Sequence, residues 1–244
     1  MCDTCGCGDT HLVPVEVKEN LLASNQRDAD HNREHFAQAG VFTVNLMGSP
    51  GSGKTALLEA TASLLGGEHL RALSGDLATD NDGQRLRAAG ISAKTITTGT
   101  ACHLDARLVH RSLHDLDWQA AEYLFVENVG NLVCPAIYDL GQAINVVALS
   151  VTEGEDKPLK YPTMFRVADL VVLTKKDLLP YLKGVSEEGF LRSLRQVCPA
   201  AATILCSVTT GEGVDRFCQW LQSKRQEHRA SPAHHVTPHE HVHL

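Results

Sequence analysis

An α/β fold with a mostly parallel central sheet, covered by helices on both faces, is what this sequence predicts. Three observations carry the prediction. Short β-branched or apolar runs alternate with longer amphipathic stretches along most of the chain, the rhythm of strand-helix-strand units. One such run, Val41 to Met47, enters a glycine loop and leaves as a helix near Gly53, filling the pattern G-x-x-x-x-G-K-[ST] with Gly48, Gly51, Gly53, Lys54 and Thr55. The length, 244 residues, suits one large domain with an ample core plus tails. Together these predict a P-loop NTPase fold.

Composition narrows the partners. A formal net charge of −7 lacks the basic footprint of a nucleic-acid binder. No apolar run approaches the roughly 20 residues of a membrane span, and the first residues lack a signal peptide's basic and apolar regions. A cytoplasmic location is therefore expected, and there eight cysteines read as metal ligands or buried thiols rather than disulfides.

Taken in order, residues 1–9 place Cys2, Cys5 and Cys7 in C-x-x-C-x-C spacing, with Gly6 and Gly8 free to wrap three soft thiolates around Zn²⁺, Ni²⁺ or Cu⁺. Residues 10–40 read as an extended linker followed by a marginal amphipathic helix over 18–39, whose thin apolar content is Leu21, Leu22, Ala29 and Phe36. Such a helix must dock on its own domain or on a partner subunit to be stable. The nucleotide-binding domain then spans 41–227, with further strands at 70–75, 93–97, 123–129, 144–151, 169–174 and 202–207. Helical patterns lie near 81–89, 103–116, 161–168, 186–197 and 214–226. The tail, 228–244, carries His234, His235, His239, His241 and His243 and reads as a disordered metal-binding tract, or alternatively as an expression tag.

In parallel sheets ligands sit at the carboxyl ends of strands. Gly48, Ser49, Gly51, Ser52 and Gly53 form a loop whose N–H groups converge on phosphate, Lys54 reaches the β- and γ-phosphates, and Thr55 offers its hydroxyl to Mg²⁺. The second strand delivers Asp76 to hold Mg²⁺ or its water, while Asp80 and Asp82 read as helix caps. The fourth delivers Glu127, followed by Gly130 in a loop, the layout of a γ-phosphate sensor. The sixth runs into Thr174-Lys175-Lys176-Asp177, where the Asp177 carboxylate can accept from the N1–H and N2–H₂ of guanine. The matching motif is Asn-Lys-x-Asp, with Thr174 in the place of Asn, and the loop from Ser207 lies ready to meet the base. Cys102 and His103, with the distant Cys134, read on spacing alone either as a metal site or as small buried hydrophobes beside a satisfied histidine.

The segments CDTCGCG, VNLMGSPGSGKTALLE, SGD, ENVGNLVCP, SVTEGEDKPLKYP and FRVADLVVLTKKDL, with the GEG loop, together resemble the HypB-type GTPases that help deliver nickel to [NiFe]-hydrogenase. The resemblance implies slow hydrolysis of GTP to GDP, dimerisation with nucleotide, and hydrogenase-maturation proteins as partners. It implies that Cys102, His103 and Cys134 form a nickel or zinc site near the subunit interface, and that Cys2, Cys5 and Cys7 form a second, tight nickel site. It groups Asp76 and Glu127 with the Mg²⁺ and hydrolytic centre, which Lys54 joins from its place in the P-loop. Two alternatives differ in class. A urease-type accessory GTPase would carry Cys-Pro-His where this chain has Cys134-Pro135-Ala136, and a metal-storage protein would need neither P-loop nor sensor carboxylate.

Overall fold

The segment Phe42–Met47 (β1) is buried at every position, the mark of a strand covered on both faces of a sheet. In the computed structural model, which describes residues 15–230, it lies at the centre of the molecule. Six more strands follow: Leu70–Asp76 (β2), Ser92–Thr97 (β3), Tyr123–Glu127 (β4), Ile144–Ser150 (β5), Leu170–Thr174 (β6) and Ala202–Leu205 (β7). The helices are Val15–Ala39 (α1), Lys54–Leu65 (α2), Asn81–Ala88 (α3), Ala106–Leu113 (α4), Lys157–Lys160 (α5), Pro162–Arg166 (α6), Glu187–Val197 (α7) and Val214–Ala230 (α8). All seven strands run parallel in the order β3-β2-β4-β1-β5-β6-β7. This is the P-loop NTPase architecture, with β1 between β4 and β5 and its exit loop at the carboxyl edge.

Register positions the chemistry. Glu127, the last residue of β4, lies level with Leu46 of β1 and Ser74 of β2, so its carboxylate emerges beside the loop that β1 feeds. One core layer, including Leu57, Leu58, Phe125 and Phe217, fills one face of the sheet, and a second, including Phe165, Phe190 and Leu194, fills part of the other.

Several boundaries differ from the sequence reading, each for a local reason. Helix α1 starts at Val15, so the end of the expected linker is helical; no glycine or proline interrupts 15–39, and propagating a helix costs less than nucleating one. Helix α4 starts at Ala106, not at 103, because Asp105 caps it, its carboxylate accepting from Leu108 N at 2.7 Å. The helix expected over 161–168 is the shorter Pro162–Arg166, and a separate turn of helix, Lys157–Lys160, precedes it; the two are broken at Tyr161, where proline disfavours helical backbone at the preceding residue. Helix α8 continues past 226 to Ala230.

Helix α1 docks on its own domain, but not mainly through the expected leucines. Leu21 is exposed, whereas Asn25, Ala29, Asn32 and Phe36, spaced to share one face, are buried. Asn25 donates to Asp139 O (2.8 Å) and accepts from Ala106 N (2.9 Å); Asn32 donates to Ala106 O (2.9 Å) and Leu140 O (3.1 Å). Phe36 meets Trp118 edge-on. Gly141 has φ +87°, and a Cβ there would stand 2.6 Å from Ala29 O, so glycine permits the close approach.

Among the described residues no helix is long and apolar enough to cross a membrane. Cys2, Cys5, Cys7 and the tail histidines lie outside the described residues.

Candidate functional site

The loop after β1 folds as a cradle because its glycines occupy backbone conformations closed to other residues. Gly48, Gly51 and Gly53 have φ of +146°, +74° and +94°, and a Cβ on Gly48 would lie 2.4 Å from Ala148 O. Lys54 opens α2 and is buried; its Nζ donates to Gly48 O (3.3 Å) and Ser49 O (3.2 Å). Burial lowers its pKa, an effect opposed chiefly by the nearby Glu127. Ser52 Oγ is buried with no hydrogen-bond partner among the described residues, a polar atom in want of an acceptor or donor. A phosphate oxygen would satisfy it.

Behind the cradle, Thr55 Oγ1 donates to Glu127 Oε1 at 2.7 Å and Ser74 Oγ approaches Glu127 Oε2 at 3.4 Å. Burial raises the pKa of Glu127, against the lowering effects of the Thr55 bond and of Lys54. Because Thr55 gives its hydrogen to the carboxylate, its oxygen keeps lone pairs for a cation. The donors gathered here are oxygens, the set that Mg²⁺ prefers. Asp76 lies two residues beyond Ser74 on the same face of β2, but its carboxylate accepts from the Thr79 hydroxyl and from Ala78 N. These bonds hold its pKa below the usual carboxylate value. The structure thus brings Lys54, Thr55 and Glu127 together and leaves Asp76 one pleat away in a turn of its own. Asp80 stands at the N-cap of α3 without capping it; its carboxylate is bound by Arg87 and Thr95.

Across the cradle, Thr174 Oγ1 donates to Ser52 O at 2.6 Å, so the residue in the place of asparagine still ties the sheet edge to the loop. Lys175 adopts a left-handed φ of +59°, and its Nζ donates to Gly51 O at 2.7 Å. A non-glycine residue in this region costs of order 1 kcal/mol and is held by its surroundings. Ser207 Oγ donates to Asp177 Oδ1 at 2.6 Å, which orients the carboxylate at the rim.

Cys102, His103 and Cys134 also converge, with one ligand atom of each within 4.8 Å of the others. The two sulfurs are 2.9 Å apart, and His103 stacks on Tyr138 with ring centroids 3.9 Å apart. Burial lowers the pKa of His103 against the opposing charge of Asp105, favouring the neutral imidazole that a metal requires.

The two clusters meet. The loop from Glu127 to Cys134 packs on the cradle: Gly48 bridges Asn131, and a Cβ on Gly130 would stand 2.8 Å from Pro50. Asn128, next to Glu127, accepts from Leu104 N, the amide following His103, at 3.2 Å, and donates to Asn45 on β1 at 3.3 Å. Sequence reasoning missed Asn128, Asn45 and Ser74. It also missed Glu153, which accepts from Ser49 of the cradle and from Ser150 N at 3.0 Å. The one available signal was a pair of amides within apolar strand ends.

A glycine cradle at the end of the central strand, closed by a buried lysine, threonine and carboxylate, defines a P-loop nucleotide-binding protein. Residues 42–204 match the CobW/HypB/UreG nucleotide-binding domain. The chain is 47% identical over 212 residues to the hydrogenase maturation factor HypB of Azotobacter chroococcum mcd 1, covering 86% of this chain and 69% of the relative. It is similar in structure to HypB from Helicobacter pylori, crystallised in complex with nickel (TM-score 0.80, 38% identity, 84% of this chain and 96% of that one). It is likewise similar to the hydrogenase maturation factor HypB from Archaeoglobus fulgidus (TM-score 0.78, 40% identity, 84% and 100%). The chain belongs to the CobW/HypB/UreG family, among its HypB members.

Proposed function

We propose that this protein is a slow GTPase that assists nickel insertion into [NiFe]-hydrogenase alongside other maturation proteins. In this reading it forms a homodimer with GTP, and its nucleotide state governs nickel or zinc binding at Cys102, His103 and Cys134. The observation that supports the coupling is the packing of the loop from Glu127 to Cys134 directly on the P-loop. A storage protein would have no use for that contact.

In the reaction, Gly48, Ser49, Gly51, Ser52 and Gly53 cradle the phosphates, and Lys54 neutralises charge developing on the β- and γ-phosphates. Thr55, Glu127 and Asp76 are the candidate oxygen donors that would hold Mg²⁺, which would supply charge neutralisation at the phosphates. Glu127 senses the γ-phosphate, and any shift of its carboxylate is passed to Asn128 and the Cys134 loop. Lys175 and Asp177 hold the base, with Ser207 orienting the carboxylate. Cys2, Cys5 and Cys7 serve as a separate nickel site.

The coupling must be reciprocal. In a variant lacking Cys2, Cys5 and Cys7, Ni²⁺ and Zn²⁺ affinities with GDP and with a non-hydrolysable GTP analogue are expected to differ by about 5- to 150-fold. Cys134→Ser should erase that difference. Equal affinities in both nucleotide states, with dimerisation confirmed separately, would separate the switch from the metal site.

Base choice gives a second test. Asp177→Asn exchanges a two-acceptor carboxylate for an amide and should weaken GDP by about 10- to 100-fold, at the ~1.5–3 kcal/mol of a charged hydrogen bond. XDP, whose C2 oxygen replaces the amino donor, should gain. Competition binding with GDP, XDP and ADP reads the ranking; an unchanged order removes Asp177 from base recognition.

A further inference from the structure

One cluster of ligand atoms belongs to neither the nucleotide cradle nor the cysteine site. His31 and His35 stand one turn apart on α1, His110 faces them from α4, and one ring nitrogen of each lies within 4.8 Å of the others. Their ring centroids are 4.2, 5.0 and 5.4 Å apart. We infer that the seam between α1 and α4 is a three-imidazole site for a borderline divalent transition metal, Ni²⁺ or Zn²⁺, which clamps the two helices together.

The spacing suits the chemistry. Histidines at i and i+4 project from one face of a helix, the arrangement that presents two nitrogens to one ion. The third ligand is prepared by its neighbour. Asn32 is fully buried, and its amide nitrogen donates to Ala106 O and Leu140 O, which leaves its Oδ1 as the atom facing His110 Nδ1 at 3.1 Å. An amide oxygen accepts only, so Nδ1 carries the hydrogen and Nε2 keeps the lone pair. An outer hydrogen bond that fixes the tautomer in this way is the usual support of a metal-bound histidine.

The electrostatics point the same way. Burial lowers the pKa of His110, with further lowering from His31, His114 and His35 and a small opposing effect from Asp28. Asp28 itself is engaged by Arg107 at 3.4 Å, and the donors gathered at the seam are imidazole nitrogens. That set suits nickel and zinc and disfavours the hard Mg²⁺. An adjoining cavity of ≈ 190 Å³, lined by His35, His110, Leu113, His114, Trp118 and Gln119, gives water room to complete the coordination. The site is independent of the GTPase reading.

The test uses the full chain with Cys2, Cys5, Cys7, Cys102 and Cys134 changed to serine and His234, His235, His239, His241 and His243 changed to glutamine. Titrated calorimetrically without nucleotide, it should still bind one equivalent of Ni²⁺ or Zn²⁺ and melt at a higher temperature for it. His31→Gln and His35→Gln, at exposed and half-buried positions, should each weaken binding by more than the roughly 100-fold that loss of an outer-shell partner costs. They should also abolish the metal-induced rise in Tm while leaving the metal-free Tm in place. If the multiple variant does not fold, equilibrium dialysis of the otherwise unaltered chain should show one equivalent of Ni²⁺ fewer in His35→Gln. Binding unchanged by either histidine substitution, or no loss of an equivalent, overturns the site.

Discussion

Lys54→Ala is expected to lower kcat for GTP by about 10²- to 10³-fold, the effect of removing one preorganised charge from a transition state. The ammonium hydrogen-bonds the carbonyls of Gly48 and Ser49 within the cradle, beside the position argued for the β- and γ-phosphates. The fold should survive. Burial depresses the pKa of Lys54, so the folded chain releases this proton more readily than the unfolded one, and the charged lysine costs stability at pH values below its folded pKa. Alanine removes that cost along with the two hydrogen bonds. Single-turnover phosphate release and a circular-dichroism melt check both halves, and wild-type turnover from a folded variant would falsify the role of Lys54.

Glu127→Gln should produce a slow and more stable protein. Turnover should fall about 10²-fold or more through loss of the carboxylate, while stability at pH 8 rises by about 1 kcal/mol, or ~2–4 °C in Tm for a chain of this size. Glutamine keeps an oxygen for the Thr55 hydroxyl and carries no charge to desolvate. The pH dependence has a definite sign. Burial raises the folded pKa of Glu127 above the ordinary 4.5, so between the two values the folded state holds the extra proton. The stability linked to this group is therefore complete below the unfolded value and is lost as pH rises through the folded one. In melts taken from pH 5 to pH 9, the advantage of Glu127→Gln should grow as pH rises toward the folded pKa of Glu127 and level off above it. A variant less stable than wild type throughout that range would show that the carboxylate is structurally satisfied, not held in place for chemistry.

The parts of the site legible in the sequence are those written locally. Gly48 to Thr55 is contiguous, and Glu127 and Asp177 follow from the rule that parallel strands deliver ligands at their carboxyl ends, whereas Asp76, assigned by the same rule, sits in a turn of its own. Cys102, His103 and Cys134 were weak as a site on spacing alone, being far apart in the chain, and were joined only by the family resemblance; the structure brings them together. Least legible were the buried amides. In a one-dimensional pattern Asn25, Asn32, Asn45 and Asn128 resemble surface residues, and their burial depends on backbone partners in distant elements such as Leu140 O and Leu104 N. The histidine cluster was hidden for the same reason, since His110 follows His35 by 75 positions and meets it only once α1 has docked. Thr174 is the converse. Standing where the motif has asparagine, it keeps a side-chain tie to the cradle through its hydroxyl.

The amides along α1 also act as a ruler. Apolar faces can slide against each other with little change in energy, but Asn25 and Asn32 accept one axial position, because each must meet particular backbone groups near Ala106, Asp139 and Leu140. The amino end of a 25-residue rod, roughly 38 Å long, is thereby pinned at a set point on the molecule. Cys7 precedes Val15 by eight residues, a reach of at most about 29 Å. Any ion held by Cys2, Cys5 and Cys7 can be handed over only within a volume whose centre is chosen by two asparagine side chains.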